Sequence, residues 1–420
     1  MTDFKQKDFA TPIKGTKGKR RLPLIRILLF ILLAYGFYGY EQESPSIEEP
    51  ALLKEIKKEE SHQEKDVLID NRPRKVKKKK NDFTSNFLAL QRDKELATKL
   101  LDVLKSQNPY AAIYLMVDGT SGEILAWGQQ DKFIPGEAPS YLPLNSFPAA
   151  SLVKIVTAAA ALESGRYSNH TQIPAIGRSV TLYKNQLKVP KSYAGRMVTM
   201  EKAFSLSMNP PMGIIGLKLG GKRLISAAER LGFNRHLAKG VPAASIYPSP
   251  ADNFAIAESA SGFTDEITIS PLLVAAIIRS VVSEKGPEMP WSPLLAPVYA
   301  PAKAIGLNQL PFKENTYFGL KRMMEATLKK GSARRTYNNP EIFYPYNKKR
   351  LKTGGKTGTK NVGNTRYEWF AGYAQDRKDS KKTLILVCLH MNELEGTRAS
   401  HPAQASALLI NHWAKNYLKW

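Results

Sequence analysis

The sequence predicts an α+β protein: an antiparallel sheet flanked by N- and C-terminal helices, with an inserted, mainly helical lobe and one transmembrane helix in front. Three observations lead there. Strand patterns gather in two places, around residues 111–127 and 351–389. Between them, residues 149–345 carry helical patterns broken by Pro- and Gly-rich loops. Near the start, residues 22–40 form a run of 19 whose only charge is Arg26. A sheet made from chain ends around a helical middle is an α+β arrangement with two lobes.

Residues 1–21 are polar and basic, and read as a cytoplasmic tail. Residues 22–40 are just long enough to span a hydrocarbon core as a helix, with Arg26 snorkelling inward. Tyr35, Phe37, Tyr38 and Tyr40 fit an aromatic belt at the outer end. Positive charge before the span places the N-terminus inside and the remainder outside the cytoplasmic membrane. A cleaved signal peptide is the alternative, with Ala34-Tyr35-Gly36 as a weak cleavage site. Residues 41–82 are charged and aromatic-poor, a solvated tether. The basic run at 72–80 (RPRKVKKKK) reads as a spacer rather than a nucleic-acid patch, given the span upstream.

The main folded domain is expected over 83–420. Residues 83–106 show a helical stripe of Phe87, Leu90, Leu96, Leu100 and Leu104, stopped by Asn108-Pro109. Residues 111–117 and 123–127 flank the turn Asp118-Gly119-Thr120-Ser121-Gly122, which makes a hairpin. Strands are expected again at 351–359, 368–373 and 383–389, and a closing amphipathic helix at 403–418.

Composition removes several classes. With 420 residues and 43% hydrophobic content, the chain is neither a disordered tail nor a disulfide mini-protein. Its one cysteine, Cys388, excludes an intramolecular disulfide and a multi-cysteine zinc site, and its apolar setting reads as core. The six histidines, at 62, 170, 236, 390, 401 and 412, show no metal spacing, and His390 reads as structural. The net charge is +25, which suits an anionic partner.

Three constellations carry chemistry. In the first, Ser151 opens a helix after Pro148, and Lys154 lies one turn on along the same face. An amine held neutral by burial can take the serine proton. Such a Ser-x-x-Lys match arises roughly once or twice by chance in a chain this long. The second is Ser207-Met208-Asn209, where a hydroxyl and an amide can relay a proton and hold a peptide. The third is Gly355-Lys356-Thr357-Gly358-Thr359, on a predicted strand. A strand glycine lets a ligand approach the backbone, and the lysine and hydroxyls can bind a carboxylate. Lys352-Thr353-Gly354 is a competing copy, set aside because only the later one is followed by a hydroxyl at the right distance from the next strand.

In this order the three elements resemble the signature of penicillin-binding proteins and serine β-lactamases, and the sequence resembles a penicillin-binding protein transpeptidase domain. Residues 112–127 resemble the family's opening hairpin. Ile269-Ser270-Pro271-Leu272-Leu273-Val274-Ala275, Lys330-Gly331-Ser332-Ala333-Arg334 and Trp369-Phe370-Ala371-Gly372-Tyr373 resemble further family segments. The resemblance implies Ser151 as nucleophile, Lys154 as its base and Ser207 as proton shuttle. It implies Asn209 as a substrate-backbone ligand and Lys356 as a source of positive potential. Thr357 and Thr359 would bind the terminal carboxylate beside Gly358, and the N–H groups of Ser151 and Thr359 would form the oxyanion hole. No metal or organic cofactor is implied. The partners implied are peptidoglycan stem peptides, β-lactams, the membrane through one helix, and wall-synthesis proteins, with no nucleic acid.

The implied activity is a membrane-anchored peptidoglycan DD-transpeptidase. The alternatives are a DD-carboxypeptidase or β-lactamase, and a non-catalytic β-lactam sensor or wall-assembly scaffold. Ser-Leu-Val-Lys is nearer to small carboxypeptidases than to transpeptidases, and Pro210-Pro211 is unusual. Both bear on the acyl acceptor. Glu201, Glu258 and Glu266 are the candidate bases for activating water, and each also reads as a surface or capping carboxylate.

Overall fold

Five antiparallel strands, in the order 124–131, 111–118, 383–393, 365–376 and 351–362, form the main sheet of the computed structural model. The structure describes residues 91–131, 145–235, 245–292, 312–396 and 399–418. The first helix, α1 (Lys94–Gln107), leads into the hairpin of β1 (Ala111–Asp118) and β2 (Ile124–Asp131). The last three strands are β7 (Leu351–Val362), β8 (Thr365–Asp376) and β9 (Thr383–Glu393). β9 lies between β1 and β8, so the two ends of the domain close the sheet together.

β9 reads as a nearly unbroken apolar run because both of its faces are covered. Ile385, Val387 and Leu389 face one core with Ile113, Leu115 and Trp369. Leu384, Leu386 and Cys388 face a second core with Tyr114, Phe370, Leu96, Leu100 and Trp413. Strand alternation thus divides one sequence between two cores. Each fully buried Leu or Ile contributes about 1.5–3 kcal/mol. The second core is roofed by α1 and the C-terminal helix, Pro402–Tyr417. In it the Cys388 thiol is buried and its pKa pushed up. His390 is also buried, 2.6 Å from the Tyr114 hydroxyl, and burial lowers its pKa to about 3, so it is a neutral structural ring.

The sequence expectations need adjusting at element ends. The helix expected from residue 83 begins at Lys94, because Asp93 is extended and its carboxylate accepts from Leu96 N–H at 2.9 Å as an N-cap. Phe87 and Leu90 lie outside the described residues. β7 and β8 run past their expected ends, since backbone pairing continues through polar Lys360, Asn361 and Arg366 to a two-residue turn at Gly363-Asn364. Gly363 has φ +55°, the left-handed backbone such tight hairpin turns use.

The inserted lobe starts with β3 (Phe147–Pro148), followed by a 3₁₀ turn at Ala150–Val153 and α2 (Lys154–Glu163). A short pair, β4 (Gln172–Pro174) and β5 (Met197–Thr199), precedes α3 (Met200–Ser205), α4 (Asn209–Leu219) and α5 (Gly221–Arg230). Then come α6 (Asn253–Ser261), β6 (Thr268–Ile269), which pairs with β3, α7 (Pro271–Ser283) and α8 (Glu314–Lys329). Two short helices, α9 (Arg334–Asn338) and α10 (Pro345–Arg350), lead to β7, and α11 is the helix Pro402–Tyr417. α2 is buried along almost its whole length, which its alanines allow by letting neighbouring helices approach. Pro210 and Pro211 fall in the first turn of α4, where the missing N–H groups have no intrahelical partner to lose.

Among the described residues no helix is long and apolar enough to cross a membrane. The anchor expected at 22–40, the tether at 41–82 and its basic run lie outside them.

Candidate active site

Ser151 sits in the 3₁₀ turn, three residues before α2 proper begins at Lys154. The turn is clamped from several sides. Ala149 N–H donates to the Ile267 carbonyl at 2.9 Å, and Trp369 Nε1 donates to the Pro148 carbonyl at 2.9 Å. Ala150 has φ +48°, a left-handed backbone unusual for a residue with a Cβ. Gly262, with φ +67°, passes so close that a Cβ there would lie 2.0 Å from the Ala150 oxygen. Strain of this kind persists only where surrounding structure enforces it.

Lys154 is fully buried. Its Nζ lies 2.7 Å from Ser151 Oγ, 2.8 Å from Asn209 Oδ1 and 2.5 Å from the Ser261 carbonyl. Burial, and secondarily the charge of Lys356, hold its pKa well below the usual lysine range. The partners suit a neutral amine. Two of them can only accept, and they take its two N–H bonds. The lone pair is left for the Ser151 hydroxyl, which is the arrangement a general base needs. Asn209 is fixed from its other end by Nδ2 donating to the Val180 carbonyl at 3.0 Å.

Ser207 lies in the tight connection between α3 and α4 with φ +57°. Lys356, also fully buried, donates from Nζ to Ser207 Oγ at 2.9 Å and to the Thr357 carbonyl at 2.6 Å. The Phe204 ring centroid is 5.6 Å from that Nζ. Burial lowers the Lys356 pKa to about 7. With two buried lysines repelling each other, the site holds one proton more readily than two.

These lysines, hydroxyls and the amide come from the 3₁₀ turn, the start of α2, the α3–α4 connection, the start of α4 and β7, so the structure brings Ser151, Lys154, Ser207, Asn209 and Lys356 into two hydrogen-bonded groups. β7 is an edge strand. Gly358 lies against the Ser151 turn, where a Cβ would stand 3.3 Å from that of Ala150. Thr359 is exposed beyond it, whereas Thr357 is 6% exposed and its Oγ1 is 2.5 Å from Ser332 Oγ. Of the two competing lysines, Lys352 is exposed and Lys356 is the one buried beside Ser207.

Sequence reasoning missed the Ser261 carbonyl, the Ser332 hydroxyl, the Phe204 ring and Gly262. Only Gly262 left a local signal, as a glycine at a helix C-terminus. Of the carboxylates considered as water-activating bases, Glu201 is ion-paired to Lys330 at 2.7 Å. Glu266 is exposed. Glu258 is partly buried, which raises its pKa. Among the described residues no cluster of His, Cys, Asp and Glu could hold a metal ion.

The family model described as the penicillin binding protein transpeptidase domain matches residues 112–409, well over half of the chain. No curated protein matches it.

Proposed function

This chain belongs to the penicillin-binding protein transpeptidase family, and from that premise we propose that it is a peptidoglycan DD-transpeptidase working through a Ser151 acyl-enzyme. The observation that carries the reading is the buried Lys154 amine, 2.7 Å from Ser151 Oγ with its two N–H bonds engaged elsewhere.

In this mechanism Ser151 Oγ attacks the carbonyl carbon of a D-alanyl-D-alanine peptide bond, or of a β-lactam ring, and its proton passes to Lys154. Charge on the carbonyl oxygen is met by the backbone N–H groups of Ser151 and Thr359. The proton held by Lys154 then passes by way of the Ser207 hydroxyl, polarised by Lys356, to the departing nitrogen as the C–N bond breaks, leaving Lys154 a neutral amine and Ser207 a hydroxyl again. Asn209 spends one Nδ2 hydrogen on Val180, and its second is available for a substrate carbonyl. The substrate lies along the free edge of β7 as an added strand, where Gly358 keeps the approach open. An amine from a second stem peptide then attacks the ester, the steps run in reverse, and Ser151 is restored. The run at 22–40 would hold the domain on the outer face of the cytoplasmic membrane, within reach of this polymer.

The test is covalent labelling of the full chain by a fluorescent penicillin. Wild type should label and Ser151→Ala should not, while keeping its melting behaviour. Undiminished labelling of Ser151→Ala would sink the assignment. Incubation with a disaccharide-peptide donor and an amine acceptor distinguishes the outcomes: a cross-linked dimer supports the transpeptidase. Free D-alanine without dimer points to a carboxypeptidase, and rapid penicillin turnover to a β-lactamase.

A further inference from the structure

Asn209 serves two neighbours at once. Its Oδ1 is 2.8 Å from Lys154 Nζ, and one Nδ2 hydrogen goes to the Val180 carbonyl at 3.0 Å. An amide is planar, so the Val180 contact also fixes where Oδ1 and the second Nδ2 hydrogen point. A flipped amide would set a donor beside Lys154 in place of an acceptor. That donor would compete for the lone pair that takes the Ser151 proton. The backbone of Asn209 is held from the same side. Its N–H, one of those at the start of α4 without an intrahelical partner, donates to the Ser179 carbonyl at 2.7 Å.

Ser179 and Val180 belong to the loop between β4 and β5. Gln186 sits inside that loop and is only 4% exposed. Its Nε2 donates to the Ile176 carbonyl at 3.0 Å and the Arg178 carbonyl at 3.2 Å. Its Oε1 accepts from the Tyr183 N–H at 2.9 Å, with the Thr181 hydroxyl 3.1 Å away. Carbonyls only accept and a backbone N–H only donates, so this amide has one orientation. Gly177 has φ +69°, and a Cβ there would stand 2.5 Å from Gln186 Nε2. The backbone from Ile176 to Tyr183 is thus wrapped around one side chain. Arg178, which that side chain grips, immediately precedes the two carbonyls that hold Asn209.

Val180 and Tyr183 are exposed, so the hydrogen bonds of Gln186 rather than burial of these side chains shape the stretch. Leu182 and Leu187 pack on α4 at Gly213 and keep the loop docked as a whole. We infer that Gln186 is a positioning residue for acylation. Through the Ser179 and Val180 carbonyls it holds the Asn209 amide with its oxygen on Lys154 and its second N–H open to the substrate. This rests on the acyl-enzyme reading above.

The experiment is timed labelling of the full chain by saturating fluorescent penicillin, which gives an acylation rate constant and a final labelled fraction. Gln186→Met removes the hydrogen bonds and keeps the side-chain length. It should lower the rate constant by about 10–100-fold, the usual effect of a small misplacement, with the labelled fraction unchanged. In an Asn209→Ala chain the same substitution should slow acylation by no more than about 2-fold further, because its effect passes through Asn209. Gly177→Ala pushes the Gln186 amide aside from the opposite direction and should show the same dependence on Asn209, which keeps the test open if Gln186→Met does not fold. A wild-type rate constant in Gln186→Met overturns the inference. So does an equal loss with and without Asn209, or a smaller labelled fraction at the wild-type rate, which is the mark of a merely structural role. All three are read on a chain still acylated at Ser151, so they leave the proposed function standing. A wild-type chain that penicillin does not acylate would overturn the reading and the inference together.

Discussion

Replacing Lys356 with Met tests the energetic cost of burying the second lysine. The side chain is fully buried, and its folded-state pKa of about 7 compares with 10.5 in an exposed lysine. Above about pH 10.5 the amine is neutral in both folded and unfolded chains, and stability is at its full value. Between about pH 10.5 and 7 the unfolded chain binds a proton that the folded one does not. Stability therefore falls as the pH falls through this window, by about 1.4 kcal/mol per pH step. Below about pH 7 both states carry the proton and the loss levels off. From pH 9 to pH 7 the expected loss is roughly 2 kcal/mol, and over the whole window roughly 5 kcal/mol. Met has similar length and no titration, so Lys356→Met removes this pH dependence. It also leaves Ser207 Oγ and the Thr357 carbonyl without their donor, a cost of about 1–3 kcal/mol each that does not vary with pH. Loss of Lys356 lifts the Lys154 pKa as well, because the two cations oppose each other; the variant then loses less stability on acidification, so roughly 2 kcal/mol is a lower figure for the difference between the two chains. The assay is urea unfolding of the full chain and the variant at pH 7 and pH 9. Wild type should gain on the variant as the pH rises. A stability difference that stays constant, or that moves in favour of the variant at pH 9, refutes the buried-amine argument.

Lys154→Met should slow penicillin acylation by about 10²–10⁴-fold, the usual worth of a general base, as read by stopped-flow or timed labelling. Lys352→Ala should leave acylation close to wild type, whereas Lys356→Ala should cut it strongly; the opposite ranking would move the third motif four residues upstream. Gly262→Ala should destabilise by about 1–3 kcal/mol and depress acylation as well, because its Cβ would be driven into the Ala150 oxygen and displace the turn that carries Ser151. A normal melting temperature with normal acylation would show that this clamp is not needed. The penicilloyl adduct should persist for many minutes by intact-mass spectrometry, since Glu201 is occupied by Lys330; return to the free mass within seconds would point to an activated water instead.

Local pattern was enough for most of the elements and for the family. The hairpin at 111–127 is legible because turn residues separate two apolar runs, and the last three strands because β-branched and aromatic residues recur there. The order of Ser151, Ser207 and Lys356 with their neighbours carried the family resemblance. Their environment was beyond the sequence's reach. Lys352 and Lys356 stand in nearly identical local contexts, and what separates them is that Phe204 and Ser207, 149 residues upstream of Lys356 in the latter case, cover only one. Lys154 is similar: Ser-x-x-Lys places two side chains on one face, but the amine's lowered pKa depends on burial and on Lys356, and one of its partners is the Ser261 carbonyl, 107 residues away. Thr357 was recognisable as a hydroxyl, while its burial against Ser332 depended on how the turn after α8 docks onto Ser205. Side-chain type and spacing are properties of the chain, but proton affinity and access to a ligand depend on what surrounds a group in space. Only packing of distant segments supplies those surroundings.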